Sequence, residues 1–333
     1  MTDPQLSNAV ADGINLQTVE ANGIRQRYAE CGSGPLVLFC HGFPESWYSW
    51  RHQLRALGAA GYRCVAPDMR GYGGTDAPGD VEHYTILDLV GDMVALVRAL
   101  GESKAVVVGH DWGAPVAWHC AVLRSDVFRA VAGLSVPFAP RGDLDFLSAL
   151  RKVGITTFYS QYFQEPGVAE AEFERDVRSA LRRIYCTAGG ETDDVSKGFT
   201  TLQPGQGFLA NTVDPTELPP WLTERDLDWY AGEFSRTGFR GGLNWYRNFT
   251  RNWRLTAPWH GQPIRQPSLF IAGTRDAVLR FPGARNRIDA FSQTLPGLQA
   301  VHLIDGAGHW IQQERPEEVN RALLQFLASF TVN

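Results

Sequence analysis

Short apolar runs alternate along this chain with longer stretches in which apolar positions recur every three or four residues. The runs Leu36-Val37-Leu38-Phe39-Cys40, Tyr62 to Ala66, Ala105 to Val108 and Val131 to Val136 predict buried strands. Ser49 to Ala59, Thr85 to Leu100 and Ala114 to Leu123 predict the helices between them. An opening hairpin, Asn15 to Glu20 and Gly23 to Ala29, is expected around the turn signal Asn22-Gly23. Alternating strand and helix predicts an α/β protein with a mostly parallel, doubly wound sheet. The alternation stops near Pro137 and resumes with Ser268 to Ala272, Ala300 to Ile304 and a closing helix from Pro316 to Phe330. Pro316 suits a first helical turn, where its missing N–H has no partner to lose.

Between the two α/β stretches, Ala139 to Trp253 looks helical and carries about half of the chain's aromatic residues. It contains a Gly/Pro/Thr-rich stretch, Thr187 to Pro220, that reads as one long loop. The expected organisation is therefore a core made of residues 1–138 and 254–333, with a helical cap, 139–253, inserted into it.

Composition narrows the function. A chain of 333 residues with 44% hydrophobic and 20% charged residues is ordinary for a globular protein of this size. A formal net charge of −5 without a basic stripe gives no electrostatic case for nucleic acid. The N-terminus lacks a secretory pattern, and no apolar run reaches membrane-spanning length, so a cytoplasmic protein without a membrane partner is expected. Five widely spaced cysteines with no Cys-x-x-Cys pair fit free thiols and offer no zinc site. Whether the chain is a monomer or a homodimer is not readable from it.

Candidate chemistry centres on Gly109-His110-Asp111-Trp112-Gly113, which has the Gly-x-nucleophile-x-Gly form of a nucleophile elbow. An apolar strand precedes it and an Ala-rich helix follows. A carboxylate stands where serine is usual. Serine there implies acyl transfer, whereas a carboxylate is already anionic at neutral pH and can displace a leaving group from saturated carbon. Downstream, Asp276 follows the strand ending at Ala272, and His309 lies in a Gly-rich loop after the strand ending at Ile304. Nucleophile, acid and histidine thus come in the chain order that such elbows use, each at a strand C-terminus. Pro137-Phe138 brings no acid to the tip of the preceding strand, so Asp276 is the expected orienting carboxylate.

Together with His41-Gly42-Phe43-Pro44-Glu45 and Asp68-Met69-Arg70-Gly71-Tyr72-Gly73, these motifs resemble the epoxide hydrolases of the α/β-hydrolase fold over nearly the whole chain. The resemblance implies that the backbone N–H groups of Phe43 and Trp112 form an oxyanion hole and that Pro44 is cis. It implies two cap tyrosines, Tyr159 and Tyr246, that donate hydrogen bonds to the epoxide oxygen. It implies a small apolar epoxide and water as reactants, a detoxifying role, and no metal or organic cofactor. Phe43, Trp112, Phe138 and Trp310 are expected to line an apolar substrate pocket.

Other residues carry blander readings. His110 points away from the nucleophile in an elbow and is expected to be a hydrogen-bonded structural histidine. His41 is expected to brace the oxyanion loop, and Asp68 and Asp76 to serve local turns. Tyr162 is expected to pack rather than react. The nearest rival is a haloalkane dehalogenase with the same aspartate nucleophile, but Phe43 stands where an asparagine often holds the halide.

Overall fold

Eight strands form one sheet in the order β1-β2-β4-β3-β5-β6-β7-β8, in a computed structural model that describes residues 13–192, 201–203 and 205–330. Strand β1 (Asn15–Ala21) and β2 (Ile24–Cys31) pair antiparallel, with Ala21 opposite Ile24. The two residues between them, Asn22 and Gly23, have φ of 55° and 74°, as a two-residue primed hairpin turn requires. Strand β2 also runs antiparallel to β4 (Arg63–Pro67), and every remaining pairing is parallel. The fold is α/β, with a mostly parallel, doubly wound sheet.

Strands β3 (Leu36–Cys40), β5 (Ala105–His110) and β7 (Ser268–Gly273) are buried at every position. That is why they read as unbroken apolar runs and not as alternating ones: helices cover both faces of the sheet. Each fully buried valine or leucine side chain contributes about 1.5–3 kcal/mol relative to exposure. The covering helices include α1 (Arg51–Ala59), α2 (Ile86–Ala99) and α3 (Gly113–Leu123). Thr85 and Asp88 form a reciprocal capping box at the start of α2.

Strand β6 (Phe128–Leu134) sits nearer the N-terminus than its apolar run suggests. Ser135, at φ 69°, turns the chain off the strand, and Phe128 pairs with Ala105. Among the described residues, no strand lies between β6 and β7. This stretch contains α4 (Phe146–Lys152), α5 (Tyr159–Tyr162), α6 (Val168–Phe173), α7 (Val177–Ala188), α8 (Glu224–Thr237), α9 (Arg240–Tyr246) and α10 (Phe249–Leu255). Helix α7 runs through Thr187 and Ala188, which the sequence reading assigned to a loop. The rest of that stretch holds one short helical turn, Leu209–Asn211, and residues 193–200 and 204 lie outside the described residues.

After β7 come α11 (Ala284–Asp289), α12 (Phe291–Thr294), β8 (Leu298–Ile304), α13 (Ile311–Glu314) and α14 (Pro316–Ala328). Pro316 occupies the first turn of α14, which packs against α1. Among the described residues, no helix is long and apolar enough to cross a membrane, and all five cysteines are free.

Candidate active site

Asp111 follows β5 at φ 48°, a left-handed conformation that non-glycine residues seldom adopt. Close backbone packing keeps it there. A Cβ on Gly109 would lie 2.0 Å from the Gly113 carbonyl oxygen, and one on Gly113 would lie 2.0 Å from that of Cys40. A Cβ on Gly42 would meet the Asp111 Cβ at 2.4 Å. The glycines therefore let the elbow press against the loop after β3 and project the carboxylate at the N-terminus of α3. The Phe43 N–H donates to Asp111 Oδ1 at 2.8 Å, and the Phe43-Pro44 peptide is cis.

His309 Nε2 lies 3.4 Å from Asp111 Oδ2, and its Nδ1 lies 3.2 Å from Asp276 Oδ1. Asp276 is fully buried, and its Oδ1 also accepts from the Val278 N–H at 2.9 Å. Burial disfavours the His309 cation, but the charge of Asp276 and hydrogen bonds to Asp111 and Asp276 outweigh it, holding the imidazole well above its ordinary value. Burial likewise works against the Asp111 anion. Its hydrogen bond and attraction to His309, with help from His110 and the Phe43 N–H, hold it below the usual carboxylate range.

Ser135 was not foreseen. Its hydroxyl lies 3.0 Å from His309 Nδ1, nearer than either oxygen of Asp276. The only signal in the sequence is a small polar residue ending an apolar run.

Tyr159 opens α5 and Tyr246 closes α9, with ring centroids 6.0 Å apart. Both line one cavity together with Asp111, Asp276 and His309. Burial, with the Asp111 charge, pushes both phenols well above their ordinary value, so each remains a donor at neutral pH. Phe43, Phe163, Phe208, Phe281, Ile184 and Trp310 supply much of the apolar wall.

Two residues expected in that wall are elsewhere. The Trp112 ring stacks on Phe249 and meets the Tyr246 ring edge-on, each at 5.1 Å between centroids, and does not line the cavity. Phe138 packs on Trp118, 5.8 Å between centroids, because the turn at Ser135 carries it away from the cavity. Tyr162 is also outside, its hydroxyl donating to Glu172 at 2.9 Å.

Beneath the nucleophile, His110 contacts Glu45 Oε2 at 2.9 Å through Nδ1 and the His309 carbonyl oxygen at 2.7 Å through Nε2. His41 Nε2 accepts from the Met69 N–H at 2.9 Å, so its proton sits on Nδ1, facing the Gly42 carbonyl. Both histidines thus hold loops together. Asp68 accepts from the Trp47 and Gly74 N–H groups at 3.2 and 3.0 Å, and Asp76 from the Arg25 N–H at 2.9 Å.

Sheet order, elbow and inserted helices define an α/β-hydrolase, and residues 35–177 match the family described as alpha/beta hydrolase fold. Epoxide hydrolase A of Mycobacterium tuberculosis (strain ATCC 25618 / H37Rv) is 49% identical, the match covering 93% of this chain and 96% of that protein. Epoxide hydrolase 2 of Siraitia grosvenorii is 45% identical over 95% of this chain and 99% of its own length. The solved structure of an epoxide hydrolase from an endophytic Streptomyces superposes with a TM-score of 0.91 at 51% identity, covering 95% of this chain and 96% of that one. The chain belongs to the epoxide hydrolases of the α/β-hydrolase fold, enzymes that hydrolyse an ether bond.

Proposed function

We propose that this enzyme converts a small apolar epoxide and water to a vicinal diol through a covalent ester on Asp111. The observation that carries the reading is a single apolar cavity in which an anionic carboxylate, a histidine base and two protonated phenols converge. One Asp111 oxygen attacks an epoxide carbon, and the C–O bond to the ring oxygen breaks. The electron pair goes to that oxygen, which takes hydrogen bonds and a proton from the side of Tyr159 and Tyr246. Residues 139–253, which carry both phenols, act as the cap over a core formed by 1–138 and 254–333.

Esterification removes the Asp111 charge. That charge is part of what holds the His309 proton, so His309 gives that proton up more readily and is neutral, free to accept one, when it must activate water. Water attacks the ester carbonyl carbon, and the oxyanion faces the Phe43 N–H and the amide of Trp112. Such donors contribute roughly 3–4 kcal/mol each where they act. The diol leaves with one former Asp111 oxygen, and Asp111 regains one from water. Asp276 orients His309 throughout.

Single turnover of styrene oxide in ¹⁸O-water should give unlabelled diol and label on the peptide containing Asp111. Label in the first-turnover diol would overturn the ester route. Bromide release from 1,2-dibromoethane without diol from styrene oxide would favour the dehalogenase.

A further inference from the structure

We infer that Glu314 is a positioning residue for His309, fixing the histidine loop against the end of cap helix α7 for ester hydrolysis. The inference rests on the role just proposed for His309. Glu314 is the last residue of α13 and only 5% exposed. Its Oε2 accepts from the Gly308 N–H at 2.7 Å and the Gly190 N–H at 3.0 Å, and its Oε1 accepts from the Trp310 N–H at 2.9 Å. One carboxylate thus holds the amides on both sides of His309.

The remaining amide of the loop, that of His309 itself, donates to the carbonyl of Ala188, the last residue of α7, at 2.9 Å. Three consecutive N–H groups are therefore committed, two to Glu314 and one to the cap. There is little slack. A Cβ on Gly308 would lie 2.3 Å from the Gly190 nitrogen, and one on Gly190 would lie 2.3 Å from the Gly306 carbonyl oxygen.

The consequence is specific to one half of the reaction. Alkylation of Asp111 uses the carboxylate and the phenols. Hydrolysis needs a water held between His309 Nε2 and the Asp111 carboxyl carbon, and misplacement by about 1 Å can cost on the order of 10²-fold. No neutral side chain can replace Glu314 fully. Glutamine keeps one carbonyl oxygen but turns an NH₂ group toward a third N–H that also needs an acceptor.

The test separates the two half-reactions in E314Q, E314A and G190A with styrene oxide, alongside H309Q as a control. Ester formation, followed by stopped-flow protein fluorescence, should stay within about threefold of wild type. Ester hydrolysis should slow roughly 10- to 100-fold, and intact-protein mass spectrometry should find the Asp111 adduct during turnover. E314Q carries the test if E314A does not fold, and G190A cuts the same link from the cap side. Wild-type hydrolysis in E314Q and G190A, or equal loss of both steps, with adduct still trapped in H309Q, would overturn the role of Glu314 alone. Absence of adduct in H309Q would instead remove the underlying reading of His309.

Discussion

The Ser135 hydroxyl stands 3.0 Å from His309 Nδ1, against 3.2 and 3.4 Å for the two oxygens of Asp276. The proton on Nδ1 is thus shared between a carboxylate and a hydroxyl, and only the carboxylate carries charge. Removing the hydroxyl should matter less than removing the charge. S135A is expected to lose about 1 kcal/mol, roughly fivefold in kcat. D276N should lose on the order of 10⁴-fold, as when asparagine replaces the acid of a serine triad. Steady-state kinetics of both variants decide it: an S135A defect as large as that of D276N would make Ser135 the principal partner of His309.

Tyr159 and Tyr246 line the cavity from different helices, so either alone leaves one donor for the departing oxygen. Y159F and Y246F should each slow ester formation by roughly 10²-fold, the low end of what general acids contribute, and the double variant far more. Y162F should alkylate at the wild-type rate, because that hydroxyl is engaged by Glu172. Rapid-quench measurement of adduct formation provides the comparison. Unchanged rates in both single variants would remove the phenols from the mechanism.

How much of this was legible in the sequence depended on whether a residue's role is local. Apolar runs named the central strands because both faces of the sheet are covered, and Leu36–Cys40 matches residue for residue. Asn22-Gly23 named the hairpin because its φ values are a local demand. Asp111, Asp276 and His309 stood out as polar residues in tight loops after apolar strands. Ser135 did not, since serine between Leu134 and Val136 reads as strand until the backbone is seen to turn there. Nothing local marks Glu314, because its three amide partners lie in two loops, Gly190 in one and Gly308 and Trp310 in the other. Phe138 was placed in the pocket because it follows a strand tip, but the direction of a chain leaving a tip is tertiary information.

The Asp111–His309 pair also links stability to pH. The folded pKa of His309 is raised above its ordinary 6.5, so its contribution is complete below about pH 6.5 and lost as pH rises through the folded value. That of Asp111 is held below its ordinary 3.8, so its contribution is complete above that pH and lost as pH falls through the folded value. D111N removes the Asp111 contribution and that part of the His309 contribution that comes from Asp111, leaving the part that comes from Asp276. The difference in stability between wild type and D111N should therefore be widest between about pH 4 and 6.5 and shrink on the alkaline side. Urea midpoints at pH 5.5 and 9.5 measure it, and a gap that does not narrow would mean the pair is not coupled.

Behind the nucleophile, Glu45 and His110 form a fully buried hydrogen-bonded pair. Glu45 Oε2 accepts from the Gly42 N–H at 2.8 Å and faces His110 Nδ1 at 2.9 Å, while Oε1 accepts from Gln312 at 2.9 Å. His110 Nε2 faces a carbonyl that can only accept. Burial would raise the Glu45 pKa, but the His110 charge and hydrogen bond and the Gly42 N–H carry it below its ordinary value. Truncating Glu45 leaves buried His110 Nδ1 and the Gly42 N–H without their partner, which typically costs about 1–3 kcal/mol for each group left unsatisfied. E45A should lose that much in urea denaturation at pH 7, and E45Q, which still offers His110 an acceptor, should lose less. An E45A protein within about 1 kcal/mol of wild type would mean that Glu45 is not what satisfies His110 and the Gly42 N–H in the interior.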